Sequence, residues 1–407
     1  MLQLPELTRA MELLFWISAG VVVYAYAGYP VVLFLLASAW QMLQDLRYGL
    51  GRRERRRAAA GYTPSVTLIF SAHNEEAVIQ DKIRNCLALD YPPEKLDVLV
   101  GCDGCDDRTA ALVLGMYAPN VQVFEFPRSG KPLTLNRLVP LASGEIAVLS
   151  DANTQFAPDA LRAMVRHFAN PEVGCVSGEL RLTAPEGGSQ SEGLYWRFET
   201  FLKFLESRMN MMVGANGGIF AIRTALFTEL PPGTIIDDFL ISMRIRARGL
   251  RVVYDPEAIG REEAATLSQE FRRRIRIGAG NLHALFHTWK MLSPTAGLVA
   301  FSYWSHKILR WLVPLALPAA LVAAILLAYR PVYAVFAALA IWFYVMAALG
   351  YALERGKVRI RVLSVPYHFF SLNLALLIGF LTFAFGRQNG AWKPTGRSSS
   401  AHTGKKS

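Results

Sequence analysis

The sequence predicts an α/β protein whose mostly parallel, doubly wound sheet is held between helices that cross or line a membrane. Three observations carry that reading. Between residues 66 and 165, short β-rich runs alternate with helical stretches, the order that folds as a parallel sheet. Acidic residues stand just after two of those runs, where open α/β sheets hold their ligands. Runs nearly free of charge flank this region at 11–38, 312–328 and 331–353, each at or near the roughly 20 helical residues that span a hydrocarbon core.

The elements follow in order. PSVTLIFSAHNEE begins with a β-rich run, Val66 to Phe70, and leads into a helix from Ala77 to Leu89. KLDVLVGCDGCDD repeats the form, with a strand at Val98 to Gly101 and a helix from Arg108. VQVFEF, Val121 to Phe126, is a third strand. EIAVLSDANTQF holds a fourth that ends at Ser150, with Pro158 opening the next helix. Asp103 and Asp151 thus fall at strand ends. Further on, TIIDDFLI sets Asp237 and Asp238 inside an apolar run. On that segment alone, the pair reads as an N-cap for the helix FLISMRIRARG, with Gly249 as its stop. MMVGANGGIFAIR, Met211 to Arg223, is a glycine-rich strip, either a wall of a binding site or a close backbone turn that needs glycine.

Charge and motif content narrow the function. The formal net charge is +11, and much of it sits beside hydrophobic segments, in GRRERRR (Gly51 to Arg57), KVRIRV (Lys357 to Val362) and the tail. Such stretches suit anionic lipid headgroups better than nucleic acid. Under the positive-inside rule GRRERRR stays in the cytoplasm, so the N-terminus faces out and the soluble domain faces in. The first apolar run carries Glu6 and Arg9 in its flank and no small-residue cleavage pattern, so it reads as an anchor and not a leader. Cys102 and Cys105 form a C-x-x-C, but no second pair completes a zinc site. His283 and His287 lack the acid of a zinc-protease helix. Neither G-x-x-x-x-G-K-[ST] nor a G-x-G-x-x-G after the first strand is present, which disfavours kinase, ATPase and dinucleotide functions. The acids fit another chemistry. Asp103 is suited to a base N–H or ribose hydroxyls, and Asp151 to Mg2+ or Mn2+ holding a diphosphate. Lys131 follows Gly130 and can neutralise phosphate, and Asp238 can take a proton. Apolar neighbours are expected to raise the pKa of Asp238 and strengthen it as a base.

Taken in this order, Asp103, Asp151 and Asp238 resemble the pattern of family-two glycosyltransferases of the GT-A fold, above all the membrane-embedded synthases of hyaluronan, cellulose and poly-N-acetylglucosamine. The resemblance implies an inverting, metal-dependent hexosyltransferase that takes a UDP-sugar. It places Ala72, Asn74 and Glu75 of SAHNEE along the nucleotide, Asp103 on the uridine, and Lys131 near the donor diphosphate. SDANT matches the D-x-D position, with Asp151 on the metal and Asn153 in place of the second acid. IIDDF matches the T-E-D element, with Asp238 as general base and Asp237 in place of the usual Glu. RRRIRIGAGN stands where Q-x-x-R-W is expected, so Arg276 faces the pyrophosphate and Ile277 replaces the tryptophan that stacks on the acceptor. Gly217 and Gly218 lie beside the acceptor, and WKPTGR, with Trp392 and Arg397, resembles a cytosolic segment that closes over bound nucleotide.

The expected organisation is an N-terminal anchor (1–50), a cytosolic GT-A domain (51–290), an interfacial helix (291–311), two transmembrane helices (312–353), and an interfacial helix with a basic tail (354–407). Residues 365–386 carry His368, Ser371 and Asn373, costly among lipids, and are expected to lie in the interface or to dip in without crossing. The expected localisation is that of a multi-pass protein of the cytoplasmic (inner) membrane. Its partners are membrane lipids, a UDP-sugar and a polysaccharide or lipid-linked acceptor, with an export partner or a homo-oligomer if a polymer is exported, and no nucleic acid. Three functions compete: polysaccharide elongation, single addition to a lipid-linked acceptor, and a catalytically silent nucleotide-binding scaffold.

Overall fold

The computed structural model describes residues 4–50, 61–183, 190–264, 266–356, 358 and 360–386. They divide into a sheet unit, formed by 61–183 and 214–264, and a helical unit, formed by 4–50, 190–213 and 266–386. In the helical unit lie α1 (Leu4–Val23), α2 (Tyr29–Gly49), α7 (Gln190–Arg208), α9 (Leu267–Thr288), α10 (Leu298–Ser302), α11 (Leu309–Leu326), α12 (Pro331–Arg355) and α13 (Arg361–Ala384). In the sheet unit lie α3 (Ile79–Leu87), α4 (Thr109–Leu114), α5 (Lys131–Leu138), α6 (Ala160–Val165) and α8 (Asp237–Ala247).

Among the described residues the sheet has eight strands: β1 (Val66–Ala72), β2 (Leu96–Asp103), β3 (Val121–Phe126), β4 (Ile146–Asp151), β5 (Gln155–Phe156), β6 (Val173–Thr183), β7 (Ile219–Arg223) and β8 (Arg251–Glu263). Their order is β3-β2-β1-β4-β7-β6-β8-β5. The β1–β2, β2–β3, β1–β4 and β6–β8 pairs are parallel, while β7 is antiparallel to β4 and β6, and β5 to β8. β1 and β4 are apolar and buried almost throughout, as strands covered on both faces must be. The chain leaves β1 toward β3 and returns to β4 on the other side of β1. That reversal opens a crevice at the carboxyl ends of β1 and β4.

The helical unit departs from expectation in three ways. α1 and α2 join through a π turn at Tyr24–Gly28 into one helix, and α10 and α11 join through another at Tyr303–Ile308. Among the described residues, four helices are long and apolar enough to cross a membrane: Pro5–Gly49, Leu298–Leu326, Pro331–Arg355 and Val362–Ala384. Residues 302–311, read as a separate interfacial helix, are therefore the first turns of a continuous one. Their polar groups are turned inward: Glu199 on α7 accepts from Arg310 (2.7 Å) and Lys307 (2.9 Å), and His306 lies between Glu199 (3.2 Å) and Glu206 (2.7 Å). Tyr29 donates to the same Glu206 at 2.6 Å. Second, α7 and α9, expected within the catalytic domain, group with the helical unit. α7 packs Leu202, Leu205 and Met209 against Tyr29, Leu33 and Ala37 of α2. Third, α13 has the length and hydropathy of a span, although it was expected not to cross. Its Asn373 is buried, with the amide donating to Phe369 O one turn back. α9 and α13 meet at Gly278 and Gly379, where a Cβ on Gly379 would stand 2.3 Å from Ile275 O.

Candidate active site

The site is built on the loops that follow β1, β2 and β4. After β1 the chain turns at Asn74, whose φ of +54° a short polar side chain tolerates. The following loop is stitched to the one after β2. Asn74 Oδ1 accepts from Asp106 N, Glu75 N donates to Thr109 Oγ1, Glu76 N donates to Asp107 Oδ2, and His73 Nδ1 lies 2.8 Å from Asp103 O. Ala72 O accepts from Cys105 at 3.5 Å, and Cys102 and Cys105 are both free thiols.

Asp103, placed on the uridine by the resemblance, has its carboxylate engaged by donors of the 128–130 turn. It is fully buried, and its oxygens accept from Ser129 N (2.6 Å), Gly130 N (2.8 Å) and the Arg128 guanidinium. Gly104 (φ +61°) and Gly130 (φ +93°) allow the turn at 128–130 to fold onto the strand end, and a buried carboxylate collects its N–H groups. A Cβ on Gly104 would press on the Arg128 backbone at 2.9 Å.

At the end of β4 the structure brings the other candidates together. Lys131, the first residue of α5, donates to Asp151 at 2.7 Å and faces Asp237 Oδ2 at 3.3 Å. Burial opposes its charge, but Asp151, Asp237 and Asp238 outweigh that and lift its pKa. Asp237 is buried. Burial, aided by Asp238 and Asp151 and opposed by Lys131, raises its carboxyl to about 6. Burial was expected to act on Asp238, which is instead half-buried. Neither acid is the N-cap. Ile236 takes that place without a side-chain bond, and both carboxylates lie in the first turn of α8, where the helix dipole favours them. Gly249 (φ +82°) follows that helix as anticipated. Asp238 Oδ2 lies 3.2 Å from where a Cβ on Gly217 would stand, and Gly218 would press on Thr154 Oγ1 at 2.8 Å. The glycine strip thus serves close backbone approach and forms the wall beside Asp238.

The residues fit a hard divalent cation in a limited way. Asp151 presents a carboxylate one-third exposed, and buried Asp237 Oδ2 receives no hydrogen bond. Among the described residues, no three His, Cys, Asp or Glu side chains form a metal cage. An ion held on Asp151 would therefore take its other ligands from diphosphate and water, as Mg2+ commonly does. Asn153 donates its amide to Glu262 at 2.6 Å, a buried acid of β8. Sequence reading missed Glu262, Arg128 and Lys82. Lys82 left a signal: it interrupts the buried stripe Ile79, Ile83, Cys86 of α3. Arg276 and Ile277 lie on α9 of the helical unit. Trp392 and Arg397 lie outside the described residues.

A mostly parallel sheet of this order, flanked by helices, with acids at the carboxyl ends of β2 and β4, is a GT-A glycosyltransferase domain. The chain belongs to the glycosyltransferase-like family 2, whose pattern matches residues 64–280, more than half of it. It is similar to the poly-β-1,6-N-acetyl-D-glucosamine synthase of Staphylococcus aureus, 24% identical over 60% of each chain. It is also similar to the β-monoglucosyldiacylglycerol synthase of Trichormus variabilis, 26% identical over 59% of this chain and 54% of that one. The chain thus spans about 60% or less of the length of the curated relatives it matches. Among solved structures, a mannosyltransferase from Pyrobaculum calidifontis, in complex with GDP-Man and Mn2+, superposes with a TM-score of 0.68. That match covers 92% of this chain and all of the other at 23% identity, and shows the shared fold.

Proposed function

We propose that this chain is an inverting, metal-assisted hexosyltransferase that moves a sugar from a UDP-sugar to a growing polysaccharide at the cytoplasmic face of the inner membrane. The observation that carries the reading is Lys131, set between Asp151 and Asp237 and within the field of Asp238 at the carboxyl end of the sheet. One cation among these acids is the arrangement a diphosphate needs: positive charge for its oxygens, an oxygen ligand for its metal, and a base nearby. The similarity to a poly-N-acetylglucosamine synthase supports the acceptor class. The Mn2+ bound by the Pyrobaculum enzyme supports the metal. The four apolar helices support a membrane protein.

In the reaction, Asp238 takes the proton of an acceptor hydroxyl, and the oxygen attacks C1 of the donor sugar. The bond from C1 to the diphosphate oxygen breaks, with inversion, and its electron pair leaves on UDP. Lys131 meets the charge that develops there. Asp151 would hold Mg2+ or Mn2+, which when bound would supply further Lewis-acid stabilisation of that leaving group. Arg276 is assigned to the pyrophosphate, and Trp392 and Arg397 to closure over the nucleotide, by family resemblance. Ile277, at the place of the stacking tryptophan, favours a second reading, single addition to a lipid-linked acceptor, and the similarity to a β-monoglucosyldiacylglycerol synthase, named for a lipid product, supports it.

The test is donor turnover by the full chain in lipid nanodiscs, with a panel of UDP- and GDP-sugars and with Mn2+ or Mg2+. Nucleotide release that needs metal and Asp238, with product in a size ladder, supports elongation. One discrete lipid-sized product moves the assignment to single addition. Nucleotide binding without any release removes the enzymatic reading.

A further inference from the structure

We infer that Lys82 is a positioning residue for the metal-binding turn, holding Asp151 in register with the glycine strip beside Asp238. The inference rests on the role proposed for Asp151. Lys82 is completely buried on α3, in a stripe where its neighbours Ile79, Ile83 and Cys86 are apolar. An ammonium in such a place is costly unless it is fully bonded, and an apolar side chain would pack there without that cost. Its Nζ donates to Ser150 Oγ at 2.9 Å and to Thr154 O at 2.5 Å. Those two residues bracket the Asp151–Asn153 turn. Its charge also lies over the Phe156 ring, 4.4 Å from the centroid.

The bonds continue outward. Ser150 Oγ lies 3.0 Å from Gly218 O and donates to it, which ties the end of β4 to the strip beneath Asp238. On the far side of the turn, Glu262 fixes Asn153. Burial lowers the pKa of Lys82, while Cys86, Asp151 and Glu262 act to keep it charged. Lys82 therefore joins three parts that must keep their spacing: α3, both ends of the Asp151 turn, and the glycine strip. Without it, Ser150 Oγ and Thr154 O lose a donor in a buried setting, and the Asp151 carboxylate loses its fixed distance from Asp238. Nothing in this arrangement puts Lys82 on substrate. It acts through the turn.

The experiment uses the full chain in nanodiscs and reads Mn2+ binding by the loss of the free-ion electron paramagnetic resonance signal, with UDP or GDP present. Lys82→Met and Ser150→Ala are expected to weaken Mn2+ binding by about tenfold or more, the usual effect of removing a group that orients a metal ligand. The Mn2+ concentration for half-maximal turnover should rise with it, and Lys82→Arg should restore part of the loss. Ser150→Ala, which keeps the lysine and removes one acceptor, decides the matter if Lys82→Met does not fold. Unchanged Mn2+ affinity in folded variants, with only a lower thermal midpoint, would make Lys82 a packing residue and overturn the inference. A parent chain that binds no Mn2+ with either nucleotide, or an Asp151→Asn variant that binds as the parent does, sinks the functional reading and this inference together. An Asp151-dependent site that ignores Lys82 and Ser150 sinks the inference alone.

Discussion

Asp237 and Asp238 stand side by side in the first turn of α8 and experience different surroundings, and each predicts a different measurement. Asp238, half-buried beside Gly217, is the base in the proposed reaction, so Asp238→Asn should lower turnover by about 10²–10⁴-fold, the range of general-base assistance, with nucleotide binding retained. Asp237 makes a prediction about stability. Its pKa is raised from 3.8 to about 6 by burial first and by Asp238 and Asp151 next. The folded chain therefore holds this proton more tightly than the unfolded chain does. Below about pH 4 both states carry it, and there is no penalty. Stability is lost as pH rises from about 4 to about 6, and above that the full penalty persists. Asp237→Asn should thus melt higher than the parent at pH 7 and with it at pH 4, since Lys131 keeps Asp151 as a partner. Thermal melts at the two pH values check this. The sequence showed both acids but could not tell them apart, because which of two adjacent carboxylates is buried depends on the packing around α8.

Helices and strands differed in how plainly the sequence announced them. Val66, Val98, Val121 and the run to Ser150 marked four strands through β-rich stretches bounded by polar turns, and those lie where read. The join of residues 302–311 to a long helix was hidden, because His306, Lys307 and Arg310 look interfacial until Glu199 of α7, over a hundred residues earlier, is seen to claim them. That pairing is an element-scale prediction. Burial would raise the Glu199 carboxyl, but Arg310, Lys307 and His306 outweigh it and hold it well below the usual range. Glu199→Gln takes the anion from buried Arg310 and half-buried Lys307, and should cost about 3–5 kcal/mol, as breaking a buried ion pair typically does. The α9–α13 crossing is tested in the same way. With Ile275 O only 2.3 Å from the site of a Cβ, Gly379→Ala should destabilise by about 1–3 kcal/mol through overpacking, while the distant Gly20→Ala, with open space around it, should not. Thermal unfolding of the three variants in one detergent compares them directly.

For the molecule as a whole, the open matter is how its helices meet a membrane, and here length and neighbourhood point in opposite directions. Val362–Ala384 is long and apolar enough to cross. Yet α9 lies along it, with Gly278 against Gly379 and Phe286 stacked on Phe383 at 5.9 Å. Glu270 is drawn to a lower pKa by Arg274 and Arg273, and also by His368, although burial acts first and in the opposite sense. The two helices thus run side by side in the same direction, 270 near 368 and 286 near 383. α9 carries Arg272, Arg273, Arg274 and Arg276 in its first half. Carrying such a helix through the hydrocarbon would cost about 2.5–3.5 kcal/mol for each charge near the centre, offset in part where Arg273 and Arg274 pair with Glu270. At the interface Arg272 and Arg273 would meet lipid phosphates and water, and α13 rests on α12 through Phe369 against Phe343 and Phe370 against Tyr344. We therefore predict that α13 does not carry the chain across. A reporter fused after the last residue should lie on the same side as one inserted in the sheet unit, at the exposed turn near Tyr117, and opposite one at the N-terminus. The interfacial arginines can be tested directly: replacing Arg272 and Arg273 with leucine removes charges proposed to hold α9 at the surface, and should let a fraction of the C-terminal reporter cross. If the unaltered chain already places that reporter on the far side, α13 is a fourth span, and its charged neighbour must be shielded within the protein.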